Sequence, residues 1–365
     1  MYSNPDSLLV IDFEDVLIDC HKSLLAASIK TVEVYLSNVL GIRGTASGLL
    51  SEKEVEQFAN AYGFSPGIEL SYAILLYFLS ILDNKYSPDE FSEMDTKTII
   101  ETIKNKNPIT ETIADLKNKK RLSDMGKILR IRGKGSHALK KLVDIPNRFL
   151  AFNEGHITMD NYLHRVFEEV YLGDELFKTE YGQERMFSKD IGTIHMEEPR
   201  FTMDQFHRLR NRFRLATVTE RTQAGIMYLF NLLGLNDLFT TVVSSESTNM
   251  NANETEYSLD MLGIADTQVR NFVAELVSAI ERMSAGQQWG VSSKIIYLGD
   301  TSKPEKDLSI IKDRYRLTIL GFAGDKKKKQ ALKQGGADNV AFNINQVMHQ
   351  LTDFERKKTN RRRWR

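Results

Sequence analysis

The sequence predicts an α/β fold: a Rossmann-like parallel sheet core with a large inserted α-helical unit. Three observations predict it. Near the N-terminus a wholly apolar run, Leu8-Leu9-Val10-Ile11, ends in an acidic cluster, as expected of a buried parallel strand that opens into a functional loop. After Asn211, apolar β-runs alternate with helical stretches, the pattern that builds a parallel sheet. A lone strand has no ladder to join, so the first run must share one sheet with the later ones. The helical region between them is then an insertion. This reading divides the chain into a core of residues 1–20 and 205–345, a helical insertion of residues 21–204, and a C-terminal helix end with a basic tail, residues 346–365.

The elements follow in order. Leu25, Ile29, Val32, Leu36 and Val39 recur at helical spacing and predict a helix from His21 to Leu40, stopped by Gly41. Ser51-Glu52-Lys53-Glu54 has the form of a capping box and starts a second helix, which runs to Tyr62 and is closed by Gly63. Ile68 to Leu82 is apolar but interrupted by Glu69 and Ser71. It falls short of the roughly 20 residues that span a bilayer, so it reads as a buried helix. Lys104 to Lys141 is rich in basic residues and reads as solvated helix faces and loops. Later strands are expected at Arg214–Val218, Thr240–Val243, Ile295–Leu298 and Leu317–Phe322, and a last one at Asn339–Phe342. Helices are expected between them at Ala224–Leu233, Phe272–Met283 and Leu308–Asp313. Lys326 to Lys329 reads as a solvated helix start. A terminal helix precedes a basic tail, Glu355 to Arg365, that is expected to fray.

Composition narrows the function classes. Hydrophobic residues make up 41% and charged residues 27% of the 365 residues, enough apolar material for a core. Basic and acidic residues balance at 49 each, which argues against nucleic acid or an anionic membrane as the main partner. The single cysteine, Cys20, excludes an intrachain disulfide and a cysteine zinc cluster, and fits a reducing cytoplasm. No basic segment precedes an apolar stretch at the N-terminus, so a cytoplasmic location is expected. The seven histidines show no paired-ligand spacing. Gly133-Lys134-Gly135-Ser136 lacks the spacing of a phosphate loop.

In open α/β sheets, ligands bind outside the carboxyl ends of the strands. The residues that follow the apolar runs here are Asp12-Phe13-Glu14-Asp15, Thr219-Glu220-Arg221, Ser244-Ser245-Glu246 and Gly299-Asp300-Thr301. A carboxylate held near phosphorus can act as a nucleophile, and a second acid can protonate the leaving oxygen and then activate water. Asp12 would be the first and Glu14 the second.

These segments resemble the haloacid dehalogenase superfamily. Asp12-Phe13-Glu14-Asp15-Val16-Leu17 is similar to its first motif, Leu215-Ala216-Thr217-Val218-Thr219 to its second, and Ile295-Ile296-Tyr297-Leu298-Gly299-Asp300, with Asp307 downstream, to its last. The resemblance covers about residues 8–40 and 207–345 and implies a capped phosphatase with the inserted helices as the cap. It implies Mg²⁺ as cofactor, held by Asp12, Glu14, Asp300 and Asp307, with Thr219 binding the phosphoryl group of a small phosphorylated metabolite. The family's lysine between the second and last motifs has no counterpart. Lys294 begins its strand, on the order of 15–20 Å from the Asp300 end at about 3.3 Å per residue. Arg270 is the best-placed substitute, as a catalytic and phosphate-binding cation. Glu14 stands where the family has aspartate, and Asp15 where it has glycine. These departures raise the alternative of a catalytically impaired relative that serves as a phosphometabolite-binding or protein-interaction module.

Overall fold

The computed structural model describes residues 7–133, 135–219, 221–244, 276, 277, 279, 280, 294–300, 312, 315–324 and 326–362. The expected helices over 272–283 and 308–313 fall mostly outside this set, although residues 276, 277, 279, 280 and 312 are helical. The chain forms two compact units, one of Met1–Asp19 with Glu198–Arg365, the other of Cys20–Glu197.

The first unit is built on a parallel sheet. Its strands are β1 (Leu8–Asp12), β4 (Arg214–Val218), β5 (Thr241–Val243), β6 (Ile295–Asp300), β7 (Leu317–Phe322) and β8 (Asn339–Ala341), in the spatial order β5-β4-β1-β6-β7-β8. β1 lies between β4 and β6, in register Val10 to Ala216 on one side and Val10 to Tyr297 on the other. A strand flanked on both edges and covered on both faces must be apolar throughout, and all five residues of β1 are buried. On one face Leu8, Val10, Ala216, Val218, Ile295 and Ile319 pack with Leu276, Val277, Ala279 and Ile280.

A feature not foreseen is a short antiparallel pair, β2 (Ile18–Asp19) with β3 (Glu198–Pro199). Its two strands stand where the chain leaves the first unit and where it returns, so this unit resumes at Glu198, ahead of the residue 205 expected from sequence.

The second unit is helical. α1 (His21–Val34) continues through a π-helical turn, Tyr35–Val39, where an unbroken helix was expected. α2 (Glu52–Tyr62) begins with Ser51 accepting from the Glu54 amide and ends at Gly63, whose φ of 76° suits a left-handed cap. α3 (Ile68–Ile81) is the buried apolar helix. α4 (Thr96–Asn105), α5 (Ile113–Lys119), α6 (Leu122–Arg132), α7 (Gly135–Lys140), α8 (Tyr162–Leu172) and α9 (Asp174–Tyr181) follow. The described basic residues of 104–141 are mostly exposed, as expected; Lys120 is half-buried, with Nζ 2.7 Å from Glu54 and 2.6 Å from the Leu49 carbonyl.

Back in the first unit lie α10 (Met203–Arg210), α11 (Gln223–Leu233), α12 (Lys326–Gln334) and α13 (Ile344–Arg362). α13 carries helix well into the segment expected to fray. No helix among the described residues is long and apolar enough to cross a membrane.

Candidate functional site

Asp12 closes β1, at the carboxyl end of the sheet's interior, and is 2% exposed. The chain then turns sharply. Leu17 N–H donates to the Asp12 carbonyl and Ile18 N–H to the Phe13 carbonyl, both at 3.0 Å, while Val16 and Leu17 bury their side chains. The turn forces Asp15 into the left-handed region at φ 61°. Asparagine and aspartate tolerate that region better than other non-glycine residues, which explains how an acid can stand where the resemblance places glycine. Arg200, next to β3, lies 3.2 Å from Asp19 and 4.0 Å from Asp15, and offsets part of the negative charge that this loop gathers.

The Asp12 carboxylate accepts a 3.0 Å hydrogen bond from the Tyr297 hydroxyl. Tyr297 sits on β6, on the same face as Asp12, and its ring runs along its own strand over Gly299. A Cβ at Gly299 would collide with the Tyr297 hydroxyl, so the glycine leaves the space through which tyrosine reaches the acid. Tyr297 was not singled out from sequence. Its signal was a polar-tipped aromatic in an otherwise apolar strand, two residues before a glycine.

Glu14 points to the end of β4. It accepts a hydrogen bond from the Thr219 hydroxyl at 2.5 Å and pairs with Arg221 Nε at 3.2 Å. The Arg221 guanidinium also lies over the Phe13 ring, 5.0 Å from its centroid, and the Arg221 amide donates to the Thr219 hydroxyl. Thr219, expected to hold a phosphoryl group, is fully buried and its hydroxyl donates to Glu14. Arg221 is a cation at this strand end to which the sequence reading gave no role.

Asp300 ends β6, the neighbour of β1, and is 4% exposed. Lys328 Nζ lies 2.6 Å from its Oδ2. This corrects the reading of Lys326 to Lys329 as a solvated helix start. Lys328, in the first turn of α12, turns to the strand end, and only Lys326 and Lys327 are fully exposed. Lys294 lies 3.2 Å from the Phe354 carbonyl, as its place at the start of β6 required. Arg270 and Asp307 lie outside the described residues.

Magnesium needs several hard oxygen donors converging on one point. Asp12, Glu14 and Asp300 supply such donors, and each has one oxygen engaged by the chain itself: Asp12 Oδ2 by the Tyr297 hydroxyl, Glu14 Oε1 by Thr219 and Arg221, and Asp300 Oδ2 by the Lys328 ammonium. Among the described residues no group of three His, Cys, Asp or Glu side chains is placed to hold a metal ion. The described side chains therefore do not assemble a divalent-cation cage.

A separate cavity of about 770 Å³ opens in the helical unit, lined in part by Tyr72, Tyr86, Arg148, Phe149 and Phe152. Its lining also includes Asp144, Glu154 and Asp160. The chemistry is better placed at the strand ends, where Asp12 stands with Glu14, Tyr297 and Asp300.

The structure is similar over 95% of its length to an X-ray structure determined by the Northeast Structural Genomics Consortium, 99% of which is covered, with 15% identity and a TM-score of 0.62. At that identity the likeness is one of fold. A phosphatase from Thermococcus thioreducens matches 89% of this chain and 99% of its own, at 17% identity and a TM-score of 0.44. A haloacid dehalogenase-like hydrolase from Streptococcus pneumoniae matches 94% and 98%, at 11% identity and a TM-score of 0.38. These two superpose too loosely to carry an argument about chemistry. No family model and no curated protein matches the sequence.

Proposed function

From this haloacid-dehalogenase-like α/β fold, we propose that the chain is a phosphomonoesterase for a small phosphorylated metabolite, with Asp12 as the nucleophile. The observation that carries the reading is Asp12 itself: a buried carboxylate at the end of the central strand, oriented by the Tyr297 hydroxyl. In the first step an Asp12 oxygen attacks phosphorus. The new oxygen–phosphorus bond forms as the ester oxygen–phosphorus bond breaks, which gives an aspartyl-phosphate and the free alcohol. Glu14 supplies the proton that the departing oxygen takes, and then accepts one from the water that hydrolyses the acyl phosphate. Arg221 and Lys328 are the described cations that offset charge on the phosphoryl group. Substrate selectivity would reside in the helical insertion, acting as a cap. Magnesium dependence, which the sequence resemblance implies, draws no support from the described side chains.

A second reading has its own observation. Thr219 and Arg221 both engage Glu14 Oε1 and hold the side chain toward β4, so proton transfer to a leaving group requires the carboxyl to turn from that position or to act through Oε2. A chain in which neither happens would bind phosphorylated metabolites without turning them over.

The experiment is hydrolysis of an aryl phosphate, and of a panel of phosphometabolites, by wild type and Asp12→Asn, each with and without added Mg²⁺. The expected result is turnover that falls on the order of a thousandfold or more in the variant. Equal inactivity of both proteins on every ester, with phosphometabolite binding retained, would replace the enzyme with the binding module.

A further inference from the structure

We propose that the Lys328 ammonium is a built-in counter-cation that takes the place of a divalent metal at Asp300, so that this core balances its carboxylates without magnesium. The inference departs from the metal dependence that the sequence resemblance implies, and it holds whether or not the chain turns over a phosphate ester.

Asp300 is 4% exposed, and a carboxylate so far from water needs a partner charge. Lys328 Nζ provides it at 2.6 Å. The lysine stands where a helix disfavours it. α12 opens with four consecutive lysines, Lys326 to Lys329, although the positive end of a helix dipole repels cations. A local conflict of this kind is retained where something else offsets it, and the buried Asp300 carboxylate does so for Lys328. Each of the three acids at the strand ends then has a chain-borne partner: Tyr297 on Asp12, Thr219 with Arg221 on Glu14, and Lys328 on Asp300. A metal ion at Asp300 would compete with the ammonium on Oδ2 for the same negative charge and be repelled by it, and that loss would be subtracted from its binding.

The test uses the metal alone, with no substrate, on the full chain after chelator treatment. Mg²⁺ is titrated calorimetrically into wild type, Lys328→Gln and the double variant Lys328→Gln/Asp300→Asn. Wild type should show no saturable binding. Lys328→Gln should bind Mg²⁺ at least about tenfold more tightly, the equivalent of one strong ion pair removed, and the double variant should lose that gain. Submillimolar binding by wild type, or no difference between wild type and Lys328→Gln, would sink the proposal. If Lys328→Gln does not fold, the wild-type melting temperature decides: it should not move at about 10 mM Mg²⁺, whereas a rise would report a metal site already open. Neither readout depends on turnover, so failure of the phosphatase reading would leave this result standing, and the reverse holds as well.

Discussion

At the residue scale, the arrangement around Asp12 depends on one side chain and one missing side chain. The Tyr297 hydroxyl reaches Asp12 only because Gly299 carries no Cβ. Gly299→Ala should therefore force the tyrosine off its position and destabilise the protein by about 1–3 kcal/mol, the usual range for overpacking. Tyr297→Phe should cost about 1.5–3 kcal/mol, because it removes a hydrogen bond to a charged acceptor in the interior. Urea unfolding of the two variants measures both losses, and a stability change below about 0.5 kcal/mol in either would count against the contact. Asp12, Glu14 and Asp300 were legible in the sequence as acids just past apolar runs. Tyr297, Arg221 and Lys328 were not, because nothing in their neighbours along the chain says which acid they meet.

At the element scale, helix starts were partly legible. Ser51 caps α2 as its spacing predicts, but the Glu54 carboxylate that would complete the box pairs with Lys120 instead. Among the described residues, reciprocal boxes stand at Thr112 with Asp115 and at Thr202 with Gln205. On α8, the fully buried Glu169 accepts from Arg165 and from the amides of Met186, Phe187 and Ser188. It therefore ties the loop after α9 to the helix. Glu169→Ala should cost about 3–5 kcal/mol in denaturant titrations, since it leaves the buried Arg165 without its partner charge. Arg165→Met/Glu169→Met should recover only the part due to the unpaired Arg165, because the amides of Met186, Phe187 and Ser188 still lack their acceptor. On α1, burial raises the pKa of Glu33 above 4.5, against backbone hydrogen bonds from Leu50, Leu49 and Gly48 that lower it. A raised carboxylate pKa means that the folded state binds the proton more tightly than the unfolded chain. The charged form thus subtracts stability at neutral pH, and that loss is relieved as pH falls through the raised value. Glu33→Gln should therefore stabilise the protein more at pH 7 than at pH 4 in paired urea titrations. An equal effect at both values would show that Glu33 does not titrate with folding.

At the scale of the whole molecule, the balance of 49 basic and 49 acidic residues leaves little net repulsion between copies near neutral pH. Solubility should pass through a minimum near pH 7 and rise on either side, as precipitation by a neutral polymer would measure. A flat profile would mean that local charge, such as the basic run opening α12, governs association instead. The division into two units follows from the same chain economy that places β2 and β3. The exit strand and the return strand pair with each other, Asp19 opposite Glu198, so an insertion of this length leaves and re-enters the first unit at adjacent points.

By itself the sequence determined the strands, the insertion and the acids at the strand ends. Burial on both faces of a central parallel strand demands an unbroken apolar run, and the residue that ends such a run is exposed to whatever the sheet binds. These are local requirements, written in consecutive residues. Only the tertiary structure decided which groups answer those acids. Tyr297 meets Asp12 because β6 lies beside β1, Arg221 and Thr219 meet Glu14 because β4 lies on the other side, and Lys328 meets Asp300 because α12 starts near the end of β6. Strand order arises from pairings between segments far apart in the chain, such as Leu8 with Ile295, and the periodicity that reveals a strand carries no record of its neighbour.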